Sequence, residues 1–120
     1  AKSEDLRVTL IDKNNYHQFQ PLLYQLATAE IDTSDVATSL RQSLRGNANV
    51  DVKMLEVAAV DPRTRTVNTR DGQSYQGDFL GLAAGSQANF FGTKGAEQNA
   101  FPLYSVEHAQ RLRSRMLAVL

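Results

Sequence analysis

The stretch VTLIDKNNYHQFQPLLYQ, residues 8–25, begins as an apolar strand, closes on the acid Asp12 and then runs into a polar segment crowded with aromatics. Leu6, Val8, Leu10 and Ile11 form the short apolar run expected of a strand buried on both faces in a parallel sheet. Ligands of such sheets bind beyond the carboxyl ends of the strands, and Asp12 stands at one of those ends. A carboxylate there can accept hydrogen bonds from both hydroxyls of a ribose, with the extra strength of a charged acceptor. A solvated acid at a strand end is the plain alternative. Working outward from Asp12, the remaining sequence has to favour one of the two.

Bulk composition narrows the choices. A chain of 120 residues, 42% of them hydrophobic, suits one folding unit. Thirteen basic residues balance thirteen acidic ones, so no global field draws the chain to nucleic acid, and no nucleic-acid partner is expected. The absence of cysteine excludes a disulfide framework, a thiolate metal site and a redox dithiol within these residues. His17 and His108 have no partner at ligand spacing, so no metal site is expected. No Ser/His/Asp arrangement reads as a triad, and no residue presents itself as a catalytic acid or base. No apolar run approaches the roughly 20 residues needed to span a bilayer. The first residues lack an initiator methionine and read as the end of a helix, as if the chain were cut from something longer.

Downstream of the opening stretch, Gln20-Pro21 can start a helix with Leu22, Leu23, Leu26 and Ala27 on one face. The Thr/Ser/Asp cluster at 32–35 offers caps for a second helix whose stripe is Val36, Ala37, Leu40 and Leu44, ending at Gly46. The period then becomes that of a strand. Residues 50–60, TRTVNTR and QSYQGDFLGLAA read as a three-stranded antiparallel meander turned at Asp61-Pro62 and Asp71-Gly72. Its last strand, Phe79 to Ala84, sheds its polar face and reads as a second buried run stopping at Gly85. Ser105 can cap a final helix with Val106, Ala109, Leu112, Met116 and Val119 along one side and Arg111, Arg113 and Arg115 largely off it. Phe90-Phe91 reads as packing. The fold class is α/β: a partial Rossmann-like domain of parallel strands with crossover helices, plus a three-stranded antiparallel meander.

VTLIDKNNYHQFQPLLYQLAT, LEVAAVDPRTRTV, GDFLGLAAGSQANFFG and LYSVEHAQRLRSRM together resemble the flavin-binding segment of the type II NADH dehydrogenases, which are NADH:quinone oxidoreductases of the FAD-dependent pyridine nucleotide-disulfide oxidoreductase superfamily. The resemblance covers nearly the whole chain. It implies that Asp12 holds the adenosine ribose of FAD, with Lys13 and Asn14 following along the adenosine side and Val57, after Glu56, meeting adenine through its backbone. Gln20 and Pro21 are implied near the isoalloxazine end. The small-residue motif that usually reads Ala-Thr-Gly stands here as Ala83, Ala84 and Gly85, without the threonine hydroxyl. The implied reaction is hydride transfer from NADH to FAD and onward passage of electrons to a quinone. The parent would be a respiratory-chain flavoprotein, cytoplasmic and peripheral on the inner face of the cytoplasmic membrane. A sulfide:quinone or ferredoxin-type reductase of the same superfamily is the alternative, and a non-catalytic α/β nucleotide-binding module is another.

The same resemblance implies that residues 1–120 form only part of an FAD-binding domain. The glycine-rich strand-turn-helix that carries the pyrophosphate would precede residue 1, and the NADH-binding domain would follow. Residues 1–120 alone are therefore not expected to turn over. In the family's topology a strand ahead of residue 1 separates Leu6–Ile11 from Phe79–Ala84. The two strands are accordingly expected to carry unpaired edges through which the chain self-associates.

Overall fold

The computed structural model describes residues 5–119, so the helix end expected over the first residues lies outside the described residues. The described residues fall into two compact units, each built from two stretches of chain. One comprises residues up to 17 together with 39–83, and the other comprises 18–38 together with 84 onward.

In the first unit, β1 (Val8–Asp12) pairs in parallel with β4 (Val50–Met54), in the register Val8 to Val50 through Asp12 to Met54. A parallel pair needs a long crossover between its strands, and some forty residues separate these two. The short helix α3 (Leu40–Leu44) leads into β4 and starts where Ser39 Oγ accepts the Gln42 amide at 3.4 Å. β5 (Val57–Asp61), β6 (Thr66–Thr69) and β7 (Ser74–Gln76) form the antiparallel meander. Its turns follow their residues. Asp61 Oδ1 accepts the Arg63 amide at 2.9 Å, and Gly72 takes φ +86° after Asp71.

The second unit holds a 3₁₀ turn over Gln20–Leu22, opened by Pro21, and helices α1 (Leu23–Ala27), α2 (Thr33–Val36), α4 (Ala96–Asn99) and α5 (Val106–Leu117). Leu23, Leu26 and Ala27 of α1 are buried, as are Val36 of α2 and Val106 and Ala109 of α5, and α1 packs against α5. Ser105 caps α5, its hydroxyl accepting the His108 amide at 3.2 Å. The short strands β2 (Tyr16–Gln18) and β3 (Ala37–Ser39) lie where the chain passes from one unit to the other.

Four expectations about these elements need correction. The run 50–60 is two strands, because Met54 and Leu55 break the alternation. The first strand joins β1, and the meander begins only at Val57. The second helix is interrupted: β-branched Thr38 and the new cap at Ser39 separate Val36 from Leu40, and Ala37–Ser39 is extended. Phe79–Ala84 is neither a strand nor buried. Phe79 is 90% and Leu82 63% exposed, and no strand among the described residues pairs with this segment. The segment turns in a bend at Asp78 and Phe79 and then belongs to no regular element, so an apolar sequence alone does not make a strand. Met116 and Val119 are likewise exposed, so the buried stripe of α5 ends near Leu112, which is half-buried.

Candidate functional site

Asp12 ends β1 at the level of Met54, the last residue of β4, and its carbonyl accepts the Leu55 amide at 2.9 Å. The half-buried carboxylate has one partner among the described residues: Oδ1 accepts the Asn14 amide at 2.7 Å. This Asx turn fixes the carboxylate at the strand end and leaves Oδ2 without a partner. Lys13 is exposed and Asn14 half-buried. The buried Oδ1 of Asn15 is an acceptor without a partner among the described residues, while the Asn15 backbone carbonyl accepts the Leu40 amide at 3.1 Å. The strand end thus offers acceptors without partners among the described residues, next in sequence to the exposed Lys13.

Val57 is 40% exposed at the start of β5. It is held there by a contact that the sequence reading missed. Arg70 donates its amide to the Glu56 carbonyl at 2.9 Å, and its Nε lies 2.9 Å from Glu56 Oε1. Both side chains are largely exposed, so the ion pair itself adds little stability, but the backbone bond sets where β5 begins. The signal was present in the sequence as opposite charges facing each other across the first hairpin. Ala83 is exposed, at the end of the unpaired run.

The remaining expected residues belong to the second unit. Gln20 and Pro21 are exposed in the 3₁₀ turn, and Gln20 Nε2 donates to the Tyr104 carbonyl at 3.3 Å. Gln18, not singled out from sequence, makes the stronger link: Nε2 donates to the same carbonyl at 2.6 Å and Oε1 accepts the Val106 amide at 3.1 Å. It acts as a second cap for α5. Ala84 and Gly85 are exposed, and Gly85 sits at φ +71°, where a side chain is strained even though nothing crowds the position. They do not end a strand. Phe91 does not pack; it is 88% exposed at φ 50°, beside half-buried Phe90.

A parallel strand pair that ends on a partly unengaged carboxylate is the arrangement that dinucleotide-binding proteins use for a ribose. The sequence profile described as pyridine nucleotide-disulphide oxidoreductase matches residues 1–119. The chain belongs to this family. Among curated members it is 38% identical over 119 residues to a type II NADH:quinone oxidoreductase of Mycobacterium tuberculosis, covering 97% of this chain and 25% of that protein. It is 29% identical over 112 residues to a sulfide-quinone reductase of Aquifex aeolicus, covering 93% of this chain and 26% of the relative. The chain therefore spans about a quarter of the length of the curated relatives it matches. Among solved structures, the sulfide:quinone oxidoreductase of Aquifex aeolicus superposes with a TM-score of 0.85 at 28% identity, over 96% of this chain and 26% of that one. NDH2 of Plasmodium falciparum has the same fold, with a TM-score of 0.83 at 24% identity over 94% of this chain and 24% of its own. No helix of the described residues is long and apolar enough to cross a membrane.

Proposed function

We propose that this chain is the adenosine-binding part of a flavin-dependent NADH:quinone oxidoreductase. The observation that carries the proposal is the Asp12 carboxylate, oriented by the Asn14 amide at the end of β1 and left with an oxygen free for a sugar hydroxyl. The acceptor chemistry fits a ribose, which brings two donors. Lys13, Asn14 and the Val57 backbone are assigned to the same adenosine side. Gln20, Pro21, Ala83, Ala84 and Gly85 are assigned to the flavin end. When bound, FAD supplies the redox chemistry, taking a hydride from NADH and passing electrons to a quinone. The part of this chain is to hold the cofactor in place.

In the complete protein, Asp12→Ala is expected to weaken FAD retention by about 1.5–3 kcal/mol, the scale of a hydrogen bond to a charged group, without loss of fold. Flavin occupancy after dialysis measures it, and unchanged occupancy refutes the ribose role. Bleaching of the flavin absorbance by NADH supports the electron-donor assignment. The similarity to sulfide:quinone oxidoreductase favours a second reading, in which sulfide and not NADH bleaches the flavin.

A further inference from the structure

Gln18 closes β2, and two residues later Gln20 opens the 3₁₀ turn that carries Pro21. That turn buries none of its own residues, so its place is set by what is bonded around it. The Phe19 amide donates to the Val36 carbonyl at 2.9 Å, the Leu22 amide donates to the Phe19 carbonyl at 3.1 Å, and Leu23 is buried just downstream. On the remaining side stands Gln18, whose half-buried carboxamide reaches the Tyr104 carbonyl through Nε2 at 2.6 Å and the Val106 amide through Oε1 at 3.1 Å. The far end of this bridge is firm, because Val106 and Ala109 are buried. All of these groups belong to one unit. We propose that Gln18 is a positioning residue: it ties the approach to the Gln20–Pro21 turn to the start of α5, and so sets where the turn meets the flavin. The proposal rests on the assignment of that turn to the flavin end.

The bridge needs an amide side chain. A backbone carbonyl takes only a donor, an unpaired amide at a helix start takes only an acceptor, and a carboxamide carries both. A carboxylate of the same length lacks the donor, and a thioether lacks the donor and is a weak acceptor. The Tyr104 carbonyl is shared, because Gln20 Nε2 also donates to it, at 3.3 Å. Its two lone pairs accommodate both bonds, and the shorter belongs to Gln18. Gln18 is therefore the fixed point of the pair, and Gln20 is the residue whose amide turns to a ligand at smaller cost.

Gln18→Met and Gln18→Glu in the complete, flavin-loaded protein test this through amide exchange and the visible circular dichroism of the bound flavin, neither of which needs turnover. Gln18→Met removes the bridge, and the Phe19 and Leu22 amides are expected to exchange at least about fivefold faster, the scale of one net hydrogen bond, with an altered flavin band. Gln18→Glu keeps the acceptor, so the Val106 amide and the urea midpoint stay as in the parent protein while the turn amides and the flavin band still change. A Gln18→Glu protein with turn amides and flavin band like those of the parent makes Gln18 a helix cap only and overturns the proposal. Unchanged exchange at Phe19 and Leu22 in Gln18→Met overturns the anchor itself. Faster exchange with an unaltered flavin band overturns the placement of the turn at the flavin end, and the proposal with it, whereas the Asp12 assignment stands or falls separately on flavin occupancy.

Discussion

Phe91 sits at φ 50° and Gly92 at φ 72°, with the Thr93 amide donating to the Phe90 carbonyl at 2.9 Å across them. Two consecutive positive φ values make a turn that favours Asn-Gly, and a bulky residue in its first central position is strained. Burial does not offset that cost, since the ring is 88% exposed. Phe91→Asn is expected to stabilise the chain by about 1 kcal/mol, read as a higher urea midpoint with an unchanged slope. Sequence alone misplaced this residue because an aromatic pair beside glycine looks like core, whereas the backbone sign that exposes it is set by the turn. Asp12 was legible for the opposite reason. A single acid closing an apolar run is a local pattern, and its Asx turn is equally local. The Glu56–Arg70 contact spans a hairpin, and it was missed although both charges were visible.

Among the elements, those governed by neighbouring residues were readable and those governed by distant partners were not. Ser105 capping α5 and Pro21 opening the turn before α1 are instructions written within a few residues. Which strand β4 pairs with is a nonlocal matter, and only the broken alternation at Met54-Leu55 hinted that it leaves the meander. The second meander turn offers a pH test. Thr69 Oγ1 donates to Asp71 Oδ1 at 2.5 Å, and this bond, followed by those from Gln73, holds the Asp71 carboxyl below the usual carboxylate value of about 3.9. A group whose pKa is lower in the folded than in the unfolded state stabilises the fold above its unfolded value. That stability disappears as the pH falls through the folded value. The turn is therefore expected to loosen on acidification below about pH 4. Exchange of the Thr69 and Gln73 amides checks this, and Asp71→Asn removes that part of the acid response.

For the whole molecule, every buried apolar side chain among the described residues belongs to one unit: Leu23, Leu26, Ala27, Val36, Val106 and Ala109. The buried residue of the other unit is Thr69, a polar one. Burial of apolar surface is the main source of stability, so the two units are unequal in resistance to opening. Hydrogen exchange is expected to show the amides of α1 and α5 as the slowest and those of β1 and β4 as markedly faster. Leu26→Ala, at a position with no exposure, is expected to cost about 2–5 kcal/mol in urea denaturation. Helical periodicity identified all six as apolar-face positions: Leu23, Leu26 and Ala27 in the helix after Pro21, Val36 in the second helix, and Val106 and Ala109 in the last. It gave no sign that the sheet-bearing residues would lack a core of their own.

The run from Asp78 to Ala88, which no hydrogen bond engages among the described residues, makes the chain divisible. A protease needs an extended, unpaired backbone, and Phe79 and Leu82 offer chymotrypsin its preferred side chains at a site with nothing to unfold first. A single cut there places α1 and α5 on different pieces, yet α5 remains packed on α1. Gln18 still bonds to Val106, and Gln110 Nε2 still donates to Thr33 Oγ1 at 3.0 Å. Brief digestion is expected to give two peptides that separate in denaturant but co-elute without it. Expressed separately, the two peptides would then be complementing halves that reassemble without a covalent link.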